Sequence, residues 1–204
     1  MMIQSKKDLK FYLFADNYMR YGDSKPCWIK KLVSSDFISS YLKSMRWTAY
    51  YNNCVGKTRF LSLRYFFHAI RFNRLGVKLG FSIGYNSLGY GVVIPHYGTI
   101  VVNGDATLGN YCVLHTSTCI AGGGKIGDGL YLSAGAIIVS PNLGDYVTIG
   151  ANALLHKSEA VSNVFMVGSP ATIKKENYSK WYDRDGWAQK VNHIESYKRK
   201  TYIE

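Results

Sequence analysis

Aliphatic residues recur at every sixth position through the middle of the chain, at Leu108, Leu114, Ile120, Ile126, Leu132 and Ile138, then after a one-residue deletion at Leu143, Ile149 and Leu155. Leu88 and Ile94 extend the series upstream. An α-helix repeats at about 3.6 residues and a strand at 2, so a sustained period of six belongs to neither. It fits a parallel β-solenoid, in which each hexad supplies a short strand and a corner, three hexads close a triangular coil, and coils stack at the ~4.8 Å strand spacing. The anchors then fill a narrow interior. The residue after the anchor is often small (Gly109, Ala121, Gly127, Ser133, Gly144, Gly150), and the residue four after it is usually compact (Cys112, Thr118, Gly124, Ala136, Val147, Ala153), as suits such an interior. Cys112 therefore reads as core and not as a nucleophile. Both ends of such a stack expose unpaired strand edges, and the N-terminal segment and C-terminal tail are the obvious covers.

Charge divides the 204 residues into three parts. Residues 1–79 carry a net +11, residues 80–173 carry −2 and residues 174–204 carry +3. The boundaries expected are a basic, aromatic, helical N-terminal segment (1–79), a β-helix (80–173) and a short C-terminal tail (174–204). A basic, aromatic segment could bind nucleic acid, lie on an anionic membrane surface, or present a solvated helical face. Nucleic acid is disfavoured because no reading motif accompanies the charge. The stretch from Phe60 to Gly76 sets Phe60, Leu63, Phe67, Ile70 and Leu75 near helical spacing with Arg64, Arg71 and Arg74 between them, which suits either a membrane surface or ordinary core. No apolar run approaches the ~20 residues of a membrane span, and the first ten residues lack a leader pattern, so a cytoplasmic protein is expected, peripheral at the inner membrane face if the basic segment binds there. Cys27, Cys54, Cys112 and Cys119 form no close pair, so neither a disulfide framework nor a metal site is expected.

Three stretches carry a resemblance: Ile94 to Asn103 (IPHYGTIVVN), the hexads after it, and Val167 to Ile173 (VGSPATI). Together they resemble the hexapeptide-repeat acyltransferases, whose fold is a left-handed parallel β-helix, and in particular the serine acetyltransferase branch with its helical N-terminal region. The resemblance implies a homotrimer, acetyl-coenzyme A as co-substrate in a groove between adjacent β-helices, and His96 as catalytic base. Departures from the branch are equally specific. An acid fifteen residues before the motif histidine is replaced by Phe81, the acid just before it by Pro95, and Gly122-Gly123-Gly124 runs straight into Lys125 with no extended loop. The H-Y-G-T-I-V variant is similar to O-acetyltransferases that modify sugars in capsule, lipopolysaccharide or exopolysaccharide assembly. The expected activity is O-acetyl transfer to a sugar hydroxyl, with serine O-acetylation as the alternative and a non-catalytic scaffold as the second alternative.

Acetyl transfer from a thioester needs a base for the hydroxyl proton, donors for the oxyanion and a channel for the pantetheine arm. Histidine titrates near neutrality, and His96, two places after an anchor, should point outward. Counting one coil onward, with a two-residue insertion in the Val101 to Thr107 region, places Leu114 beneath Ile94, His115 beneath Pro95 and Thr116 beneath His96. His115 is then a second catalytic candidate, and Phe81, Tyr97 and Thr116 are candidate acceptor contacts. The resemblance assigns Gly122, Gly123, Ala134 and Ala151 to the coenzyme groove, with Lys174 and Lys175 placed for its phosphates.

Overall fold

A computed structural model describes residues 2–24, 36–55, 59–157 and 160–203, without the side chains of 59–62. Cys27 and the Phe60 side chain lie outside the described residues. Among the described residues three helices open the chain, α1 (Lys6–Tyr21), α2 (Phe37–Cys54) and α3 (Arg59–Leu79). Side-chain oxygens satisfy the free amides at two of their starts, Ser5 accepting from Asp8 N at 3.0 Å and Asp36 accepting from Ser39 N at 2.9 Å.

Twelve short strands follow among the described residues: β1 (Phe81–Ile83), β2 (Ile100–Val102), β3 (Ala106–Leu108), β4 (Val113–Leu114), β5 (Thr118–Ile120), β6 (Gly124–Ile126), β7 (Tyr131–Leu132), β8 (Ile137–Ile138), β9 (Thr148–Ile149), β10 (Leu154–Leu155), β11 (Phe165–Gly168) and β12 (Ala171–Lys175). They form the three faces of a solenoid: a first sheet β1-β2-β5-β8-β10, a second sheet β4-β7-β9-β11-β12, and a third face holding β3-β6. Pairing is parallel throughout except where β12 folds back on β11. Every anchor of the six-residue repeat is at most 5% exposed, and Cys112 is fully buried. Burial pushes the Cys112 thiol up to about 12, which fits packing and not nucleophilic chemistry.

The insertion falls elsewhere than the sequence count placed it. Val102 pairs with Ile120 and Ala106 with Gly124, both 18 residues apart, so the Val101 to Thr107 region repeats without a break. Val93 instead pairs with Val113, 20 residues apart, and Ile100 with Thr118, 18 apart. The two extra residues therefore lie in 95–99, between the anchor Ile94 and Ile100 at the start of β2. The strands either side are pinned by inward aliphatics, whereas Pro95-His96-Tyr97-Gly98 supplies no inward anchor and loops outward.

The upper end of the solenoid is covered by α2 and α3, which add Ile38, Tyr41, Leu42, Met45, Phe72 and Leu79 to the solenoid core. Its free polar groups are met by a buried ion pair. Arg46 donates to the carbonyls of Leu88 (2.7 Å) and Gly89 (2.5 Å) and to Asp16 (2.8 Å), while Asp16 accepts from the amides of Gly91 and Val92. The C-terminal tail does not close the other end. There β12 covers the edge of β11, and the following α4 (Trp181–Arg184) and α5 (Ala188–Ile203) run back along the corner between the third and second faces. Trp181 Nε1 donates to the carbonyl of Tyr111, the Tyr90 and Tyr111 hydroxyls donate to Glu195, and the Tyr202 hydroxyl donates to Asp8 of α1. The tail thus joins α1 in a second, aromatic-rich core.

Candidate active site

The outward loop of residues 95–99 sits where the second sheet turns into the first. His96 and Tyr97 are exposed, and Tyr97 is the more open at 75%. Gly98 fixes the loop: its amide donates to the Leu79 carbonyl at the end of α3 (2.9 Å), its φ is +134°, and a Cβ there would lie 2.1 Å from Thr116 Oγ1. Leu114 lies beneath Ile94 as expected, its amide donating to Val93 O, but Thr116 lies beneath Gly98 and not beneath His96. The shift follows from the two extra residues.

His115, half-buried on the coil below, places Nε2 2.9 Å from the Tyr131 hydroxyl. Burial first, and then the charge of nearby His96, hold the His115 pKa below the ordinary 6.5, while Asp185 opposes them. Burial and Asp185 raise the Tyr131 pKa, and Arg184 lowers it. The site therefore draws on the loop after Ile94, the coil beneath it and the turn after α4. Tyr131 and Asp185 escaped the sequence reading. Tyr131 had a legible signal, since it precedes anchor Leu132 and shares the outward ladder of Val113, whereas nothing in the spacing announced Asp185.

Beside Pro95 a cavity of about 360 Å³ is lined by Arg20, Tyr21, Asp36, Val93, Pro95 and Trp187 among others. Asp36 is engaged by the Arg20 guanidinium, the Tyr21 hydroxyl and the Ser39 amide, which hold its carboxyl below the usual range despite burial. Phe81, by contrast, cannot meet an acceptor. It is 6% exposed, with its ring edge-on to Tyr41 at 5.2 Å, because the first strand must bury it against the helices that cover the coil. Of the two aromatic residues expected to contact the acceptor, only Tyr97 presents its ring to solvent.

The expected groove residues border one face. Gly122 and Gly123 lie at one edge of the first sheet, and Ala134 and Ala151, both exposed, lie at the opposite edge. Stacking alone demands glycine at 122, where a Cβ would lie 2.4 Å from the Val139 carbonyl. At 123 the nearest atom a Cβ would meet is Asp105 Cβ, at 3.0 Å, with the Asp105 carbonyl oxygen at 3.6 Å. Between these edges the outward residues Ser82, Val101, Cys119, Ile137 and Leu154 stand in register, and Ile137 and Val139 leave large apolar surface open. Lys174 and Lys175 are exposed on β12, with Lys175 Nζ 5.8 Å from the Tyr178 ring centre. Among the described residues no cluster of acids, histidines and cysteines could hold a metal ion.

Comparison with family models and with curated proteins gave no match. Solved structures do match. A serine acetyltransferase from Neisseria gonorrhoeae in complex with serine is 22% identical, with a TM-score of 0.56 over 82% of this chain and 69% of that one. A serine acetyltransferase from Brucella abortus is 18% identical, with a TM-score of 0.59 over 84% and 69%. The Brucella abortus enzyme in complex with coenzyme A gives 19% identity and a TM-score of 0.56 over 82% and 66%. At these identities the likeness establishes the fold, a left-handed parallel β-helix with an N-terminal helical segment.

Proposed function

We propose that the chain transfers acetyl from acetyl-coenzyme A to a hydroxyl of a sugar destined for capsule, lipopolysaccharide or exopolysaccharide. The observation that carries the reading is His96, exposed on a loop two residues longer than the coil below and above the coil that holds His115, on a β-helix like that of the coenzyme-A-bound Brucella enzyme. His96 takes the proton of the acceptor hydroxyl as its oxygen attacks the thioester carbonyl. Collapse of the tetrahedral adduct breaks the carbon–sulfur bond, and the departing thiolate receives the proton from His96. His115, braced by Tyr131, is placed to meet the acceptor or the oxyanion. Thr116, which lies against Gly98 at the base of the loop, contacts the acceptor in this reading.

The coenzyme lies along the first sheet, its pantetheine arm against Gly122 and Gly123 and past Ala134 and Ala151, its phosphates toward Lys174 and Lys175. One solenoid offers a single wall, so a homotrimer supplies the second. The apolar outward ladder with Ile137 at 39% exposure supports that arrangement. A neutral acceptor is supported by the burial of Phe81 where the resembled branch has an acid, and by Tyr97, Tyr21 and Trp187 as faces for a sugar ring. The basic N-terminal segment favours an acceptor on a phosphate-linked carrier, with the enzyme cytoplasmic and at the inner membrane face.

Serine is the second reading, favoured by the structural neighbours and by Asp185, whose carboxylate could meet an ammonium group. Thiol release from acetyl-coenzyme A with a panel of glycans and with serine separates the two. Glycan rates should exceed the serine rate by several orders of magnitude. Efficient formation of O-acetylserine would overturn the sugar reading, and no thiol release with any acceptor would favour a scaffold.

A further inference from the structure

Helix α3 has two apolar faces, and the structure covers only one. On its inner side Phe72 stacks on Tyr41 at 5.0 Å, His68 stacks on Trp47 at 5.3 Å, and Leu79 is buried. On the opposite side Leu63, Phe66, Phe67, Ile70 and Val77 are 68%, 56%, 61%, 49% and 86% exposed. Their spacing of three, four and seven residues puts the first four on one stripe. A surface helix of a globular protein needs one apolar stripe, and a second one left to water marks an interaction site. Of the periodic apolar positions between Phe60 and Gly76, Leu63, Phe67 and Ile70 belong to this outer stripe, while Leu75 packs against the solenoid core.

We infer that the outer face of α3 docks on an anionic phospholipid membrane. The charge around the stripe selects that occupant: α3 contains Arg59, Arg64, Arg71, Arg74 and Lys78 and no acidic residue, and Arg64, Arg71, Arg74 and Lys78 are exposed. Aromatic and aliphatic side chains flanked by long cationic ones are the composition of a helix lying in a lipid headgroup layer, with the apolar stripe sunk and the guanidinium groups at the phosphates. A second copy of the chain fits poorly, because two-fold pairing of this face would set arginines against arginines with no acid to relieve them. The placement also has a consequence for the loop at His96. Leu79, the last residue of α3, accepts from the Gly98 amide, and Ile70 lies nine residues upstream, about 14 Å along the helix. A docked α3 therefore holds that loop near the lipid surface. The inference stands on the exposure and charge of α3 and does not depend on the acetyl-transfer reading.

Flotation of the full-length protein with vesicles tests it, using phosphatidylcholine alone and phosphatidylcholine mixed with phosphatidylglycerol. The wild type should float with the mixed vesicles at low salt, be released by high salt, and stay behind with phosphatidylcholine. Phe66→Ser/Phe67→Ser should weaken partitioning at least tenfold, and Arg71→Gln/Arg74→Gln roughly 30-fold, the effect of two basic residues at an anionic surface. All four side chains point to solvent, so circular dichroism and the melting temperature should not change. Wild-type protein that floats with neither vesicle overturns the inference, as does undiminished binding of either variant. A Phe66→Ser/Phe67→Ser variant that is smaller than wild type by light scattering in the absence of lipid would assign the face to a second copy instead.

Discussion

Replacing Arg46 by Met should detach the helical cover from the solenoid at a large and measurable cost. Arg46 is 1% exposed, its guanidinium lies 4.9 Å from the Tyr12 ring, and it is the donor for two carbonyls at the end of the first coil. Removing it leaves the Asp16 carboxylate buried without its cation, a loss of about 3–5 kcal/mol. The Leu88 and Gly89 carbonyls lose donors as well, at about 1–3 kcal/mol each when nothing replaces them. These groups form one network and water enters as it loosens, so the losses overlap and the expected total is about 4–6 kcal/mol. Pairing the change with Asp16→Asn removes the stranded charge and keeps an oxygen for the Gly91 and Val92 amides, so the double variant should recover about half of the loss. Urea unfolding followed by far-ultraviolet circular dichroism measures both. In Arg46→Met, hydrogen exchange should also accelerate at the Gly91 and Val92 amides while the Ile120 and Ile138 strands stay protected. A single-variant cost under about 1 kcal/mol, or a double variant no better than the single one, would refute the view that this pair holds the cover in place.

His96→Ala should lower turnover by about 10²–10⁴-fold, the range for a lost general base, with little change in acetyl-coenzyme A affinity. If His115→Ala abolishes activity and His96→Ala is mild, the two roles are exchanged. In an NMR titration His115 should have its midpoint below 6.5, lower still in Asp185→Asn, which removes the opposing charge, and higher in His96→Ala; a wild-type midpoint above 6.5 refutes this electrostatic picture. Because the folded-state value is depressed, His115 supports stability above about pH 6.5 and that support is lost as pH falls, so His115→Gln should flatten the acid limb of the stability profile. Ile137→Lys, in the middle of the outward ladder, should convert a trimer to monomers by light scattering and abolish turnover; a monomeric and fully active protein would sink the shared-groove reading.

The solenoid was legible because its interior tolerates few alternatives. Each anchor from Leu88 to Leu155 faces the same narrow core, so sequence period and burial are two views of one steric constraint. The single deletion was legible too: Ile126 pairs with Leu143 and Ile137 with Leu154, both 17 residues apart, as the shortened hexad required. What the pattern could not convey is where a coil lengthens when no anchor marks the place. The six-residue count therefore puts the extra residues, which lie in 95–99, one strand too late and sets Thr116 beneath His96 where the structure has Gly98. The tail was misjudged for a related reason. Its contacts run through Trp181, Glu195 and Tyr202 to Tyr111, Tyr90 and Asp8, positions 70 to 194 residues away whose pairing no local periodicity encodes.

The same contrast explains where a site can form on this fold. A regular coil leaves its corners tight: at residues 115–117, three residues span the turn and Thr118 is already back in the core. A base held at such a corner would lie flush against its neighbours. At 95–99 the longer span lifts His96 and Tyr97 clear, while Gly98 ties the loop to Leu79 above and lies against Thr116 below, so His96 gains reach without losing its anchorage. Charge is supplied in the same way, from outside the repeat. Asp16 and Asp36 are taken up by Arg46 and Arg20, and the carboxylate whose field reaches His115 and Tyr131 is Asp185, delivered by the tail that runs back along the solenoid. The repeat fixes the register of the coils, and the candidate site is assembled at the two places where the chain departs from it.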